Sequence, residues 1–154
     1  GHLQTNKVKY LIEKVSMIQS VDSVKLAKEI SRLCGQMQKE MKILIEVNIG
    51  REPNKSGILP ENLEELIHEV SHLPFLKISG LMAIPPADAS PKETDDYFLR
   101  MKQYFVDISE KKIDNVIMNY LSMGMSADYQ QAILAGANMV RIGSLLFGKR
   151  IYQK

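Results

Sequence analysis

The chain has 154 residues, of which 45% are hydrophobic and 25% charged, a size and composition typical of one globular domain with its own core. The formal net charge of only +2 and the mixing of basic with acidic residues argue against a nucleic-acid-binding protein. The single cysteine, Cys34, fits a reducing cytoplasm, and no apolar run reaches the ~20 residues of a membrane span.

Five short apolar runs, each bounded by turn residues, are typical of β-strands. Val and Ile are frequent in the second and fifth runs, which is typical of strands buried in a parallel sheet. The predicted strands are residues 16–20, 42–49, 77–84, 115–123 and 138–144.

Helical spacing of apolar residues predicts four helices between these strands. The clearest start is that of the third helix, where Ser90 and Glu93 flank Pro91 as in a capping box. The first helix begins after Asp22 or Ser23, since either side chain is a good N-cap. The predicted helices are residues 22–40, 60–73, 90–110 and 126–136, the last beginning at Ser126 and ending at Gly136.

The alternation of strands with helices predicts an α/β protein with a parallel sheet. Two architectures fit this pattern, an open doubly wound sheet and a (β/α) barrel. No G-x-G-x-x-G motif follows any strand, which weakens the dinucleotide-binding form of the doubly wound sheet. His68 and His72 stand one helical turn apart without a third candidate ligand, so we interpret them as surface residues rather than a metal site.

Small residues follow the last two predicted strands and favour an anion site. The stretch "LSMGMSADYQ" places Ser122, Gly124 and Ser126 in one turn, and "RIGS" places Gly143 and Ser144 in the next. Small side chains leave backbone N–H groups accessible, and helix N-termini attract negative charge. Either turn alone would be an ordinary strand-to-helix turn, but the pair predicts a cup for a phosphate group.

Arg141 lies inside the apolar run "MVRIGS", where a guanidinium is costly unless it has hydrogen-bond partners. Its side chain points to the face opposite that of Val140 and Ile142, because side chains alternate along a strand. In a barrel this face is the interior. Next to a phosphate cup, Arg141 would contact the ring of a phosphorylated ligand and could donate to an aromatic nitrogen.

Polar or flexible side chains also mark two earlier strand ends. Asn48 lies near the end of the second strand and is as suited to holding loop backbone as to binding a ligand. Lys55 lies in the loop beyond it, and Met82 lies just before the turn of Pro85 and Pro86, which we interpret as structural. These residues are weaker candidates than those of the last two turns.

Taken together, the motifs resemble those of the YggS/PROSC family of proteins that bind pyridoxal 5′-phosphate (PLP). The resemblance covers nearly the whole chain, and its most specific part is "LSMGMSADYQQAI" followed by "VRIG". The other matching segments are "GHLQTNKVK", "SVDSVKLAKEI", "EVNIGREPNKSG", "ISGLMAIPP" and "MVRIGSLLFGKR".

The resemblance implies a (β/α)₈ TIM barrel of the alanine racemase N-terminal type, with residues 1–154 forming the C-terminal part of a single domain, about strands 4 to 8. It implies that Arg141 meets the pyridine nitrogen and that Ser122, Gly143 and Ser144 hold the cofactor phosphate. Lys55 falls where related racemases carry an arginine near the phenolic oxygen. The full set of expected cofactor-binding residues is Asn48, Lys55, Met82, Ser122, Met123, Arg141, Gly143 and Ser144.

Members of this family carry a Schiff-base lysine in an "AVSK"-like segment before a "GHLQ"-like motif. Because this chain begins at that motif, we expect it to be a fragment without the lysine and without the first three strands. The two strand edges left without neighbours would then favour self-association.

The implied function is cytoplasmic PLP homeostasis without catalytic turnover, with PLP-dependent apoenzymes as partners and neither nucleic acid nor membrane. Alanine racemases have a second domain that supplies a catalytic tyrosine, whereas this chain ends at "KRIYQK". Two alternatives remain, a PLP-dependent racemase of the alanine type and a barrel enzyme that acts on another phosphorylated substrate.

Overall fold

The strands of the sheet follow one another in chain order. A computed structural model describes residues 2–148 and shows a five-stranded sheet in the order β1-β2-β3-β4-β5. All four neighbouring pairs are parallel, and the sheet curves into a half-barrel. Gly1 of the "GHLQ" motif and the "KRIYQK" segment lie outside the described residues. The strands are β1 (Met17–Val21), β2 (Met41–Val47), β3 (Leu76–Ala83), β4 (Val116–Met125) and β5 (Met139–Arg141).

Helices connect the strands, and two of them begin at caps that the sequence indicates. The capping box is confirmed, because the Glu93 N–H donates to Ser90 Oγ and the Ser90 N–H donates to the Glu93 carboxylate. Ser23, rather than Asp22, caps the first helix by accepting the Leu26 N–H. The α-helices are α1 (Val24–Gln36), α2 (Leu63–Ser71), α3 (Pro91–Glu110), α4 (Tyr129–Leu134) and α5 (Ser144–Phe147), and short 3₁₀ segments cover Thr5–Tyr10 and Pro60–Asn62.

The predicted start of the fourth helix is wrong. Helix α4 begins at Tyr129 instead of Ser126, and the Asp128 side chain accepts the Met125 N–H at 2.6 Å to close the turn before it. The fifth strand is also shorter than the predicted 138–144, because the chain leaves the sheet after Arg141 to begin α5. Ser126 is therefore free of the helix and available to the neighbouring turn.

The helices cover the outer face of the sheet, and the hydrophobic core lies between them. Phe98 and Met101 of α3 are fully buried there, as their helical spacing predicts. Burying each such side chain contributes about 1.5–3 kcal/mol to stability. The strands supply Ile43, Ile45, Val47, Ile78, Leu81, Leu121 and Met123 to this core.

The inner face of the sheet is the concave side, and it is more polar. Glu46 pairs in register with Met82, and Met82 pairs with Ser122, so the three side chains share this face. Gly80 supports the tight curvature, since its φ is +151° and a Cβ at that position would collide with the Tyr120 carbonyl oxygen. The helices of residues 2–148 include none long and apolar enough to cross a membrane.

Candidate functional site

Arg141 reaches across the inner face and contacts two neighbouring strands. Its Nη1 donates to Ser122 Oγ at 2.8 Å, and its Nη2 donates to the Ala83 carbonyl oxygen at 3.0 Å. The Ser122 hydroxyl in turn donates to Gln19 Oε1 of β1 at 2.8 Å. The predicted orientation of Arg141 is therefore what the structure shows, and Gln19 is a neighbour that the sequence did not indicate.

Among the described residues, the guanidinium of Arg141 has no anionic partner in contact. Burial lowers its pKa, and the more distant charges of Glu46 and Asp128 oppose that shift. Within residues 2–148, no carboxylate lies within 4.0 Å of it. A guanidinium has five donors, and the two uncharged acceptors described above use only two of them. The remaining donors and the positive charge suit a ligand acceptor on the inner face.

Glu46 is a buried acid on the same face that the sequence reasoning missed. Only 3% of its surface is exposed, and its Oε1 accepts the Ser56 hydroxyl at 2.7 Å. Its Oε2 has no partner among the described residues. The signal was present in "KILIEVNI", where Glu46 alternates with Ile45 and Val47 as Arg141 does with its neighbours.

The two small-residue turns meet through Ser126. Its Oγ accepts the Gly143 N–H at 3.1 Å and the Leu145 N–H at 3.3 Å. A Cβ built on Gly143 would meet no atom within 4 Å, and the Gly143 φ of −122° suits any residue. The space beside Gly143 is therefore open, but its N–H is already donated to Ser126 Oγ and is not free for the predicted phosphate contact. Ser144 begins α5 beside it.

Ser122 does not lie at this cup. It is fully buried beneath Arg141, and its hydroxyl proton is already donated to Gln19. The hydroxyl that joins the two turns is that of Ser126, which the sequence reasoning placed in the turn but did not select. Which of these two serines joins the turns follows from how β4 pairs with β5, and the sequence pattern alone does not show it.

Asn48 and Lys55 lie at the next strand end. The Asn48 amide donates to the Glu52 carbonyl at 2.8 Å and accepts the Glu52 N–H at 3.1 Å, so it holds the loop closed. Lys55 is exposed on that loop and lines a cavity of about 300 Å³ together with Glu46 and Asn48. Asn48 thus shapes this cavity through the loop backbone.

The two methionines of the expected set lie on opposite faces. Met82 is buried on the inner face beside Ser122, whereas the Met123 side chain belongs to the core beneath the helices. Met123 therefore cannot present its side chain to a ligand near Arg141. The structure brings together Met82, Ser122 and Arg141, with Gly143 directly beyond them in the chain.

Comparison with known proteins identifies the family from nearly the whole chain. The family described as "Alanine racemase, N-terminal domain" matches residues 1–151. The chain belongs to this family, in its YggS/PROSC group. A pyridoxal phosphate homeostasis protein of Aquifex aeolicus is 45% identical over 152 residues, which cover 99% of this chain. The match spans 66% of that relative, so this chain corresponds to just under two thirds of its length.

Solved structures confirm the fold. PipY of Synechococcus elongatus with PLP bound superposes with a TM-score of 0.87 at 32% identity, covering 96% of this chain and 68% of PipY. An alanine racemase of Clostridium difficile gives a TM-score of 0.73 at 20% identity, covering 97% of this chain and 38% of the racemase. The second match shows the fold alone. The half-barrel is thus the expected partial barrel of the alanine racemase N-terminal type.

Proposed function

We propose that this protein binds PLP and serves PLP homeostasis in the cytoplasm without catalytic turnover of its own. The observation that carries the proposal is the partly buried guanidinium of Arg141, whose hydrogen bonds within residues 2–148 go to a hydroxyl and a carbonyl oxygen. Such a group has N–H donors left over that an acceptor ligand on the inner face can use. A relative with PLP bound and relatives named for PLP homeostasis support the choice of ligand.

The described residues fit the two ends of the cofactor. The Ser144 N–H at the start of α5 and the Ser126 hydroxyl proton would hold the phosphate, and the open space beside Gly143 gives it room. Arg141 would donate to the pyridine nitrogen and keep that nitrogen unprotonated, because two donors cannot share one contact. When bound, PLP supplies an aldehyde that reacts with amines.

The surroundings of Arg141 support binding without turnover. Its neighbours Ser122, Gln19 and Met82 have no side chain that exchanges protons near neutral pH, and Glu46, the acid on the same face, is hydrogen-bonded to Ser56 of the loop instead of to Arg141. Racemisation requires a general base that removes a proton from carbon. The alternative, an alanine-type racemase, is favoured only by the shared fold, and an assay with D- or L-alanine distinguishes the two because our proposal expects no interconversion.

Gly143→Val tests the phosphate cup. In the unchanged chain we expect inorganic phosphate to bind with a Kd on the order of millimolar, since two or three charge-assisted bonds are offset by the cost of immobilising the ion. Valine at this position enters open space and crowds the donors, so phosphate binding should be lost while the fold is kept. Titration followed by ³¹P NMR measures the affinity, and circular dichroism checks the fold.

Two further variants are controls for this experiment. Ser16→Val adds a branched side chain at an exposed position just before β1, at the opposite end of the parallel sheet, and should leave phosphate affinity unchanged. Arg141→Ala should also spare inorganic phosphate but weaken pyridoxine 5′-phosphate, which carries the ring. Unchanged phosphate affinity in Gly143→Val would refute the cup.

Transfer to PLP-dependent apoenzymes is the second part of the proposal. A protein that binds the cofactor without using it can act by releasing it to an enzyme. We expect the PLP-loaded protein to restore activity to an apoenzyme, with the apoenzyme's activity as the measured quantity. Activation no faster than with an equal amount of free PLP would contradict this role.

A further inference from the structure

Gln19 ends a chain of hydrogen bonds that leads across the inner face to Arg141. Gln19 Oε1 accepts the Ser122 hydroxyl at 2.8 Å, and Ser122 Oγ accepts Nη1 of Arg141 at 2.8 Å. Gln19 Nε2 contacts Met139 Sδ at 3.2 Å. These hydrogen bonds thus link β1 to β4 and β5, although within residues 2–148 β1 pairs only with β2 in the sheet.

The series of hydrogen bonds from Arg141 to Gln19 has a fixed donor-to-acceptor direction, because the Ser122 hydroxyl has a single proton. Ser122 donates that proton to Gln19, so it turns a lone pair toward Arg141. Ser122 is fully buried, and therefore water cannot replace either partner. Without an acceptor at position 19, the Ser122 O–H could turn toward the Nη1–H of Arg141, and the two donors would then face each other.

We propose that Gln19 is a positioning residue that acts through Ser122 to fix the plane of the Arg141 guanidinium. Two N–H groups of Arg141 are held by Ser122 and by the Ala83 carbonyl oxygen, so the direction of the remaining donors depends on both contacts. These remaining donors are the ones that would meet the ring nitrogen. In this last step the inference rests on the proposed function.

The positioning is tested first without any ligand. In ¹⁵N-labelled protein, the held guanidinium of Arg141 should give separate, slowly exchanging Nη proton signals. Gln19→Met keeps the length of the side chain but removes the acceptor, and the separate signals should collapse. Gln19→Glu keeps an acceptor and should retain them. Gln103→Met is the matched control, since Gln103 is exposed on α3 and bonds to Asp107.

The consequence for the ligand is tested with pyridoxine 5′-phosphate, which has the ring and the phosphate but no aldehyde. Gln19→Met should weaken its binding about threefold to tenfold, the range expected for one hydrogen bond. Inorganic phosphate should bind as before, because Gln19 does not contact the cup. In a Ser122→Ala background, Gln19→Met should have no further effect, since the hydrogen-bond connection between Gln19 and Arg141 is already lost.

Each outcome decides a separate claim. Unchanged Arg141 signals in Gln19→Met, or an equal loss of ligand affinity in the Ser122→Ala background, would overturn the proposal. If Gln19→Met does not fold, Ser122→Ala alone must collapse the Arg141 signals, and their retention would overturn it as well. Collapse of the signals in a protein whose unchanged form binds no pyridoxine 5′-phosphate supports the positioning of Arg141 and refutes the proposed function.

Discussion

The two faces of the sheet differ in the interactions that stabilise them. The outer face is apolar and is covered by helices, with Phe98 at its centre and fully buried. The inner face carries Glu46, Ser122 and Arg141, which are held by directed hydrogen bonds to strands and loop. Apolar burial supplies most of the stability of a fold, whereas a polar network chiefly fixes orientation. We therefore expect changes to the outer face to act on stability and changes to the inner face to act on binding.

The largest effect should follow Phe98→Ala on the outer face. Removing this fully buried ring leaves a cavity between α3 and the sheet and should lower the free energy of unfolding by about 3–5 kcal/mol. Urea unfolding followed by circular dichroism measures the change. Leu99→Ala is the matched control, because Leu99 is the next residue of α3 and is 58% exposed. Equal losses of unfolding free energy in the two variants would show that burial on the outer face does not determine stability.

A smaller effect should come from the two edge strands of the sheet, β1 and β5. Within residues 2–148, β1 and β5 each pair with one strand only. Unpaired strand edges attract further strands, so we expect this chain to self-associate as its concentration rises. Sedimentation velocity should show an increase in mean mass across a dilution series. A monomer at every concentration would show that both edges are protected.

Arg141→Met should change stability by less than about 1 kcal/mol, because a buried charge without an ion partner gains little for the fold. The same variant should bind pyridoxine 5′-phosphate more weakly and inorganic phosphate as before. Urea unfolding and calorimetric titration of one preparation give both quantities. A loss of stability as large as that of Phe98→Ala would show that the inner face is structural.

The smallest effect should be an acid sensitivity at the start of α3. Hydrogen bonds from the Ser90 hydroxyl and backbone N–H lower the pKa of Glu93 below its usual value. A carboxylate whose pKa is lower in the folded state stabilises the fold above its unfolded pKa and loses that contribution as the pH falls through its folded pKa. Glu93→Gln should therefore flatten the acid side of the stability profile, as measured by thermal unfolding across pH.

Local patterns were enough for the order of the five strands and the helices between them and for the direction of the Arg141 side chain, but not for the start of α4 or the end of β5. Alternation placed Arg141 on the inner face, and the residue types around Pro91 predicted the capping box. The choice between Ser122 and Ser126 could not be made in this way, because it depends on how β4 and β5 pack. Alternation also places Glu46 on the inner face, but only the register of β2, β3 and β4 shows that it lies in line with Met82 and Ser122.

Gly80 also has a consequence for how the chain folds. In the native alignment it is the residue of β3 that pairs with Tyr120, and the Tyr120 carbonyl oxygen occupies the space where a Cβ on Gly80 would stand. A slip of one residue would bring Ser79 or Leu81 to that point, and a residue with a Cβ adopts a φ of +151° only with strain. A slipped pairing of β3 with β4 is thus disfavoured, so this one glycine also helps to specify the register of the half-barrel.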